Sequence, residues 1–198
     1  MLDAILSPEA RFRYYSFDSR WSPTEEVAMM DNGSGDQYWV VFSPVGAYGQ
    51  GFDHESSMSP HRELPLSPWP GLFDGVPEVF REAMDEPAFQ EVDGTALATV
   101  VFWRERTDPA WKCGPVEIPV DEPDVDGADW LFELLTDGQP EAYVKFAEEY
   151  YEITPDLESV RHVYALLPLL PEVVAALNPE RELSDLADDI AEIGYPRL

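Results

Sequence analysis

The sequence predicts an α+β protein. An antiparallel sheet comes from the N-terminal two thirds, and helices packed on one face come mostly from the C-terminal third. Three observations carry this. Residues 1–120 hold short β-branched and aromatic runs punctuated by Gly, Pro and Asn, as strands and turns are. Residues 121–198 hold apolar residues at three- and four-residue spacing, the period of a helix with one buried face. The later helices carry too few apolar residues to form a core alone, so residues 1–198 are expected as one compact domain, strand-rich over 1–120 and helix-rich over 121–198.

Each element has its own signal. RFRYYSF, Arg11 to Phe17, is short and aromatic and reads as a strand; EEVAMMD fits a strand or a helical turn. DNGSGD, Asp31 to Asp36, is a turn, because Gly33 and Gly35 tolerate positive φ. Tyr38 to Phe42 is β-branched or aromatic throughout and is expected buried on both faces. The break at Ser43-Pro44 and the glycines at 46, 49 and 51 make it the first arm of a hairpin. Prolines at 60, 65, 68, 70 and 77 exclude regular structure between Ser56 and Pro77. VPEVFREAMDE then reads as a helix with Pro77 at its first position, and Thr95 to Arg104 as a strand; WKCGPVEIPV is a further strand candidate.

In the second part, ADWLFELLTDG is a short helix with Trp130, Leu131, Leu134 and Leu135 on one face. QPEAYVKFAEEYYE is the clearest helix, with Tyr143, Phe146, Ala147 and Tyr150 in register. ESVRHVYALLPL fits either a helix or a strand. The alternation of Val160, His162, Tyr164 and Leu166 favours the strand. PEVVAALN and SDLADDIAEIG complete the chain as helices, the latter with Ser184 as N-cap and Gly194 as C-cap. Val120 to Asp129 is the expected hinge.

Forty acidic residues stand against twelve basic ones, a net charge of −28. Such a surface repels phosphate backbones and anionic lipid headgroups, so neither nucleic acid nor membrane is expected as a partner. It favours a basic protein or peptide, steered electrostatically. Cys113 is the sole cysteine, so no intramolecular disulfide forms. MLDAILSPEARFR lacks the basic and apolar regions of a secretory signal, and no run approaches the ~20 apolar residues of a membrane span. The expected location is the cytoplasm. Oligomeric state is not legible.

GQGFDHESSMSPHRE concentrates the ligand-like residues. Asp53, His54, Glu55 and His61 pair hard carboxylate oxygens with imidazole nitrogens, a set that could hold a divalent metal. Neighbours on a strand face opposite ways, so Asp53 and His54 converge only if a turn follows Phe52. Otherwise Asp53, Ser56 and Ser57 satisfy turn amides and His54 ties the turn to the sheet. The acidic run Asp124 to Glu133 fails the calcium-loop pattern, with Ala128 and Asp129 at its fifth and sixth positions; it reads as a loop with Asp129 capping a helix. Gly-Ser-Gly at 33–35 is neither a nucleophile elbow nor a phosphate loop. Cys113 is expected in packing, and Trp69 is expected to be the most exposed of six tryptophans.

NGSGDQYWVVFSPVGAYGQGFDHESSMSP, WPGLFDGVPEVF and the closing VRHVYALLPL, PEVVAALNP and DLADDIAEIGYP resemble an uncharacterised group of acidic bacterial proteins of about this length, over most of the chain. The resemblance implies a bacterial, cytoplasmic protein. In kind, a small acidic α+β chain poor in cysteine is similar to SUKH-type immunity proteins, which neutralise basic nuclease toxins. Two functions follow as expectations: a non-enzymatic acidic binding protein that engages a basic partner and needs no cofactor, or a metal-dependent enzyme, such as a hydrolase, centred on Asp53, His54, Glu55 and His61.

Overall fold

The computed structural model describes residues 1–119 and 123–197. The first three residues of the expected hinge, Val120 to Glu122, lie outside the described residues. Elements run α1 (Leu2–Leu6), β1 (Tyr15–Asp18), β2 (Glu26–Asp31), β3 (Gln37–Ser43), β4 (Gly46–Phe52), α2 (Arg81–Met84), β5 (Val100–Glu105) and β6 (Lys112–Cys113). The helices α3 (Ala128–Leu131), α4 (Glu133–Asp137), α5 (Pro140–Tyr150), α6 (Leu157–Tyr164), α7 (Pro171–Leu177) and α8 (Ala187–Ile193) follow. Strands come first and helices mostly last, so the protein is α+β as the sequence predicts. Among the described residues, no helix is long and apolar enough to cross a membrane.

The chain divides into two compact units: Arg20–Leu131, and Met1–Ser19 with Phe132–Leu198. The unit boundaries fall after residues 19 and 131, whereas the change in composition falls at residue 120. The physical reason is in the second unit's core. Leu2, Ile5 and Leu6 from the N-terminus join Val160, Val174 and Leu186 from the later helices in one buried cluster. The apolar side chains that those helices lack by themselves come from the start of the chain.

In the first unit, β2 to β6 pair antiparallel in chain order. Register runs Asp31 opposite Gln37 across β2–β3, and Gln37 opposite Phe52 across β3–β4. Tyr38, Trp39, Val40 and Val41 are buried as expected, while Phe42 is partly exposed. Ser43 pairs with Gly46, leaving Pro44-Val45 as a two-residue hairpin loop. Gly46, at φ 154°, must be glycine, because a Cβ would lie 2.2 Å from the Arg104 carbonyl oxygen. Gln50 is fully buried among apolar residues, yet satisfied. It accepts from the Tyr48 hydroxyl (2.9 Å) and donates to the Phe89 and Leu97 carbonyls (3.1 and 2.8 Å).

Several elements are shorter than predicted or of another kind. Arg11–Phe17 begins as a 3₁₀ turn over Ala10–Phe12 and becomes a strand only at Tyr15. Pro77 is the N-cap of a 3₁₀ turn leading into α2, and the strand expected from Thr95 starts at Val100. ADWLFELLTDG splits into α3 and α4, and Leu135 is exposed. At α8, Glu182 rather than Ser184 opens the preceding 3₁₀ turn, in a reciprocal box with Asp185.

The strand favoured for ESVRHVYALLPL is overturned: it is helix α6. Asp156 caps it, accepting from the Ser159 amide and hydroxyl, both at 2.8 Å. Val160 and Val163, three apart, are buried, whereas Tyr164 and Leu166 are exposed. The alternation was coincidental with a helical stripe, and a local cap decided between them.

Candidate functional site

Two clusters of side chains stand out among the described residues. The first is built by the β2–β3 turn and the end of β4. Asn32 accepts the Ser34 and Asp36 amides on its Oδ1 (2.8 and 3.1 Å), and Asp31 accepts the Gly33 amide (2.7 Å). With Gly33 at φ 72° and Gly35 at φ 109°, the turn carries Asp36 back toward β4. Since Gln37 pairs with Phe52, residue 36 stands opposite residue 53.

After Phe52 the backbone turns. Asp53 Oδ1 accepts the Glu55 and Ser56 amides (2.9 and 3.2 Å), and its Oδ2 accepts from Trp130 Nε1 (3.1 Å). The turn points His54 at Asp36. Asp36 Oδ1 accepts the His54 amide (2.8 Å) and lies 2.7 Å from His54 Nδ1, while Asp36 Oδ2 accepts from Asn32 Nδ2 (2.6 Å). Burial opposes ionisation of Asp36, but the His54 and Asn32 hydrogen bonds outweigh it and hold the carboxyl below its ordinary range. The hydrogen bond to Asp36 raises the His54 imidazole in turn. Ligand atoms of Asp36, Asp53 and His54 all lie within 4.8 Å of one another.

The four residues singled out from the sequence therefore separate. Asp53 and His54 converge. Glu55 is exposed on the outside of the turn. His61 pairs with Glu91 Oε1 (2.9 Å) and meets the Phe52 ring edge-on, apart from the other two. Asp36 completes the cluster and was missed. Its signal lay in the predicted hairpin, whose register puts position 36 across from 53.

Among the described residues, the acidic loop behind this cluster forms no ligand group of its own. Asp124, at φ 49°, spends its carboxylate on the Asp129 and Trp130 amides (2.8 and 3.1 Å), so it rather than Asp129 caps α3. Gly127 packs so closely on Asp53 that a Cβ there would lie 2.6 Å from the Asp53 Cβ. Cys113 is exposed rather than packed. Trp69 is half-buried beneath the Arg62 guanidinium, leaving Trp111 and Trp130 more exposed.

The second place is the C-terminus of α6, in the helical unit. Leu166 donates to the Val163 carbonyl and Leu167 to the His162 carbonyl (2.9 and 3.3 Å), a Schellman ending. That motif favours glycine at the left-handed position, yet Leu166 occupies it at φ 53°. The residue is 63% exposed, so little burial offsets the strain. Tyr164 and Leu167 are exposed beside it. The backbone below is fixed: the Tyr195 hydroxyl lies 2.9 Å from the Leu167 carbonyl, and His162 Nε2 donates to the Pro168 carbonyl (2.9 Å). Next to it, Leu169, Leu183, Ala187, Ile190, Pro196 and Arg197 line an open cleft of about 320 Å³.

No protein-family model, curated protein or solved structure matches this chain.

Proposed function

We propose that this is a non-enzymatic binding protein that engages a basic protein partner, with the α6–α7 loop as its apolar anchor. Leu166 is the observation that carries this. A large apolar residue holds a strained left-handed conformation that costs ~1–2 kcal/mol and stays exposed, so folding alone gives no reason for it. A rigid loop that presents Tyr164, Leu166 and Leu167 beside an apolar cleft has the makings of a binding hot spot, because little ordering entropy is left to lose on docking.

Charge supplies the choice of partner. Residues 121–198 hold twenty acids against Lys145, Arg161, Arg181 and Arg197. Of these four, Lys145, Arg161 and Arg181 already pair with carboxylates of their own unit. The remaining negative field steers basic proteins toward the loop and disfavours acidic ones. The alternative, a metal-dependent hydrolase centred on Asp53, His54, Glu55 and His61, has less support, because Glu55 and His61 stand apart from the other two.

The test is binding of basic proteins and Lys/Arg-rich amphipathic peptides to immobilised protein, as a function of NaCl. The expected result is binding that weakens with salt and falls at least about tenfold in the Leu166→Gly/Leu167→Ser variant. Binding that ignores both leucines, or none at low ionic strength, overturns the proposal.

A further inference from the structure

We propose that Asp36, Asp53 and His54 form a binding site for one divalent first-row transition-metal ion, of the zinc or manganese kind. The site lies in the sheet unit, and its argument is independent of the leucine loop.

Geometry comes first. One nitrogen and two carboxylate oxygens already lie within 4.8 Å of one another. A metal with bonds of roughly 2.0–2.2 Å holds its ligand atoms about 3–4 Å apart, so a small rotation of the half-exposed His54 ring completes the set. The three side chains come from two turns, the one between β2 and β3 and the one after β4, and the Gln37–Phe52 pairing holds the two turns side by side. Their convergence is therefore a property of the fold and not of a floppy loop.

Supporting bonds come second. Metal-binding carboxylates and imidazoles are oriented by outer hydrogen bonds that also set their basicity. Asn32 Nδ2 holds Asp36, and the Trp130 indole together with the Glu55 and Ser56 amides holds Asp53. Asp36 Oδ1 already faces the His54 amide and Nδ1, and Asp53 Oδ1 accepts two amides, so the open lone pairs lie on the Oδ2 atom of each, which accepts one bond. Gly127 allows the 124–130 loop to close over Asp53 without a Cβ. The exposed edge of His54 leaves an entry path and room for water in the open coordination positions.

Donor chemistry comes third and selects the ion. Two hard oxygens and one imidazole suit zinc, manganese and their neighbours; the imidazole gives calcium and magnesium little.

The chain has three histidines, so the experiment is direct. Metal-free protein is titrated with ZnCl₂, followed by calorimetry and by the imidazole C–H resonances in proton NMR, and CaCl₂ is titrated in parallel. One zinc per chain is expected, with the His54 resonances moving and those of His61 and His162 still. His54→Gln should weaken zinc at least about tenfold, as should Asp36→Asn, while His61→Gln leaves it unchanged. Calcium should bind more weakly than zinc. Zinc that perturbs the three histidines alike, unchanged affinity in folded His54→Gln, or calcium that competes at equal concentration overturns the site. If a variant fails to fold, the resonances of the unsubstituted protein still decide between His54 and the other two.

Discussion

Leu166 shows how one residue separates stability from purpose. Its left-handed backbone would be relaxed by glycine, so Leu166→Gly should stabilise the protein by about 1 kcal/mol, or some 2–4 °C in melting temperature for a chain of this size. A lower melting temperature would mean that the leucine side chain does contribute to packing. Asp3 poses the opposite case. Buried in the helical unit, it accepts from the Tyr143 hydroxyl (2.6 Å), the Tyr151 hydroxyl (2.8 Å) and the Tyr15 amide (2.7 Å). Tyr143→Phe removes one donor from a buried carboxylate and should cost about 1–3 kcal/mol in chemical denaturation. The same contacts make both phenols resist ionisation, by burial first and the Asp3 charge second. Their folded values are raised, so their contribution to stability is complete below the ordinary tyrosine range near pH 10 and is lost as pH rises through the folded values. Absorbance titration should show these two tyrosines ionising late, together with unfolding. Ionisation of all nine tyrosines at the ordinary pH while the protein stays folded would contradict this network.

At the scale of elements, two glycines of β4 that look alike in the sequence are held for different reasons. A Cβ at Gly46 meets the Arg104 backbone; one at Gly49 meets the Phe102 ring first, which lies across it. Backbone cannot move aside and a half-buried ring can, so Gly46→Ala should lower the melting temperature much more than Gly49→Ala. Equal losses would mean that the Phe102 ring is as immovable as the strand. For α6, the cap is the deciding contact. Asp156 sits below the ordinary carboxyl range because of the Ser159 hydroxyl and amide. Its folded value is depressed, so it stabilises α6 above its unfolded value and the effect fades as pH falls through the folded one. Asp156→Ala should therefore melt lower than the unsubstituted protein at neutral pH, with the gap closing in acid. A gap independent of pH would assign the loss to something other than the ionised cap.

For the whole molecule, charge is the dominant long-range term. Most cations already sit in ion pairs, as in Arg13 with Asp189 (2.5 Å) and Lys112 with Asp108 (2.7 Å), and −28 remains unbalanced. Self-repulsion of that size is screened over about 10 Å at 0.1 M salt, so the melting temperature should rise from low to moderate NaCl. No change would show that the acids are spaced well enough to ignore one another. Two separate buried clusters, one around the sheet and one around the helices, also mean that a core substitution is felt first within its own unit. Leu186→Ala, at a fully buried position of the helical cluster, should cost about 2–5 kcal/mol there.

What the sequence alone determined is what depends on near neighbours and on composition. The α+β class, the β3–β4 hairpin, the proline-broken middle, the starts of α5 and α7 and the sign of the surface all follow from residues a few positions apart. The convergence of Asp53 and His54 belongs here too, since it needed only the turn after Phe52. The tertiary structure decided everything that rests on distant pairing. It placed Asp36 against His54 through strand register, sent His61 to Glu91, drew Leu2, Ile5 and Leu6 into the helical core and left Leu166 outside it. A three-residue stripe and a two-residue alternation can share the same side chains, and only burial tells them apart, as at Val160 and Val163.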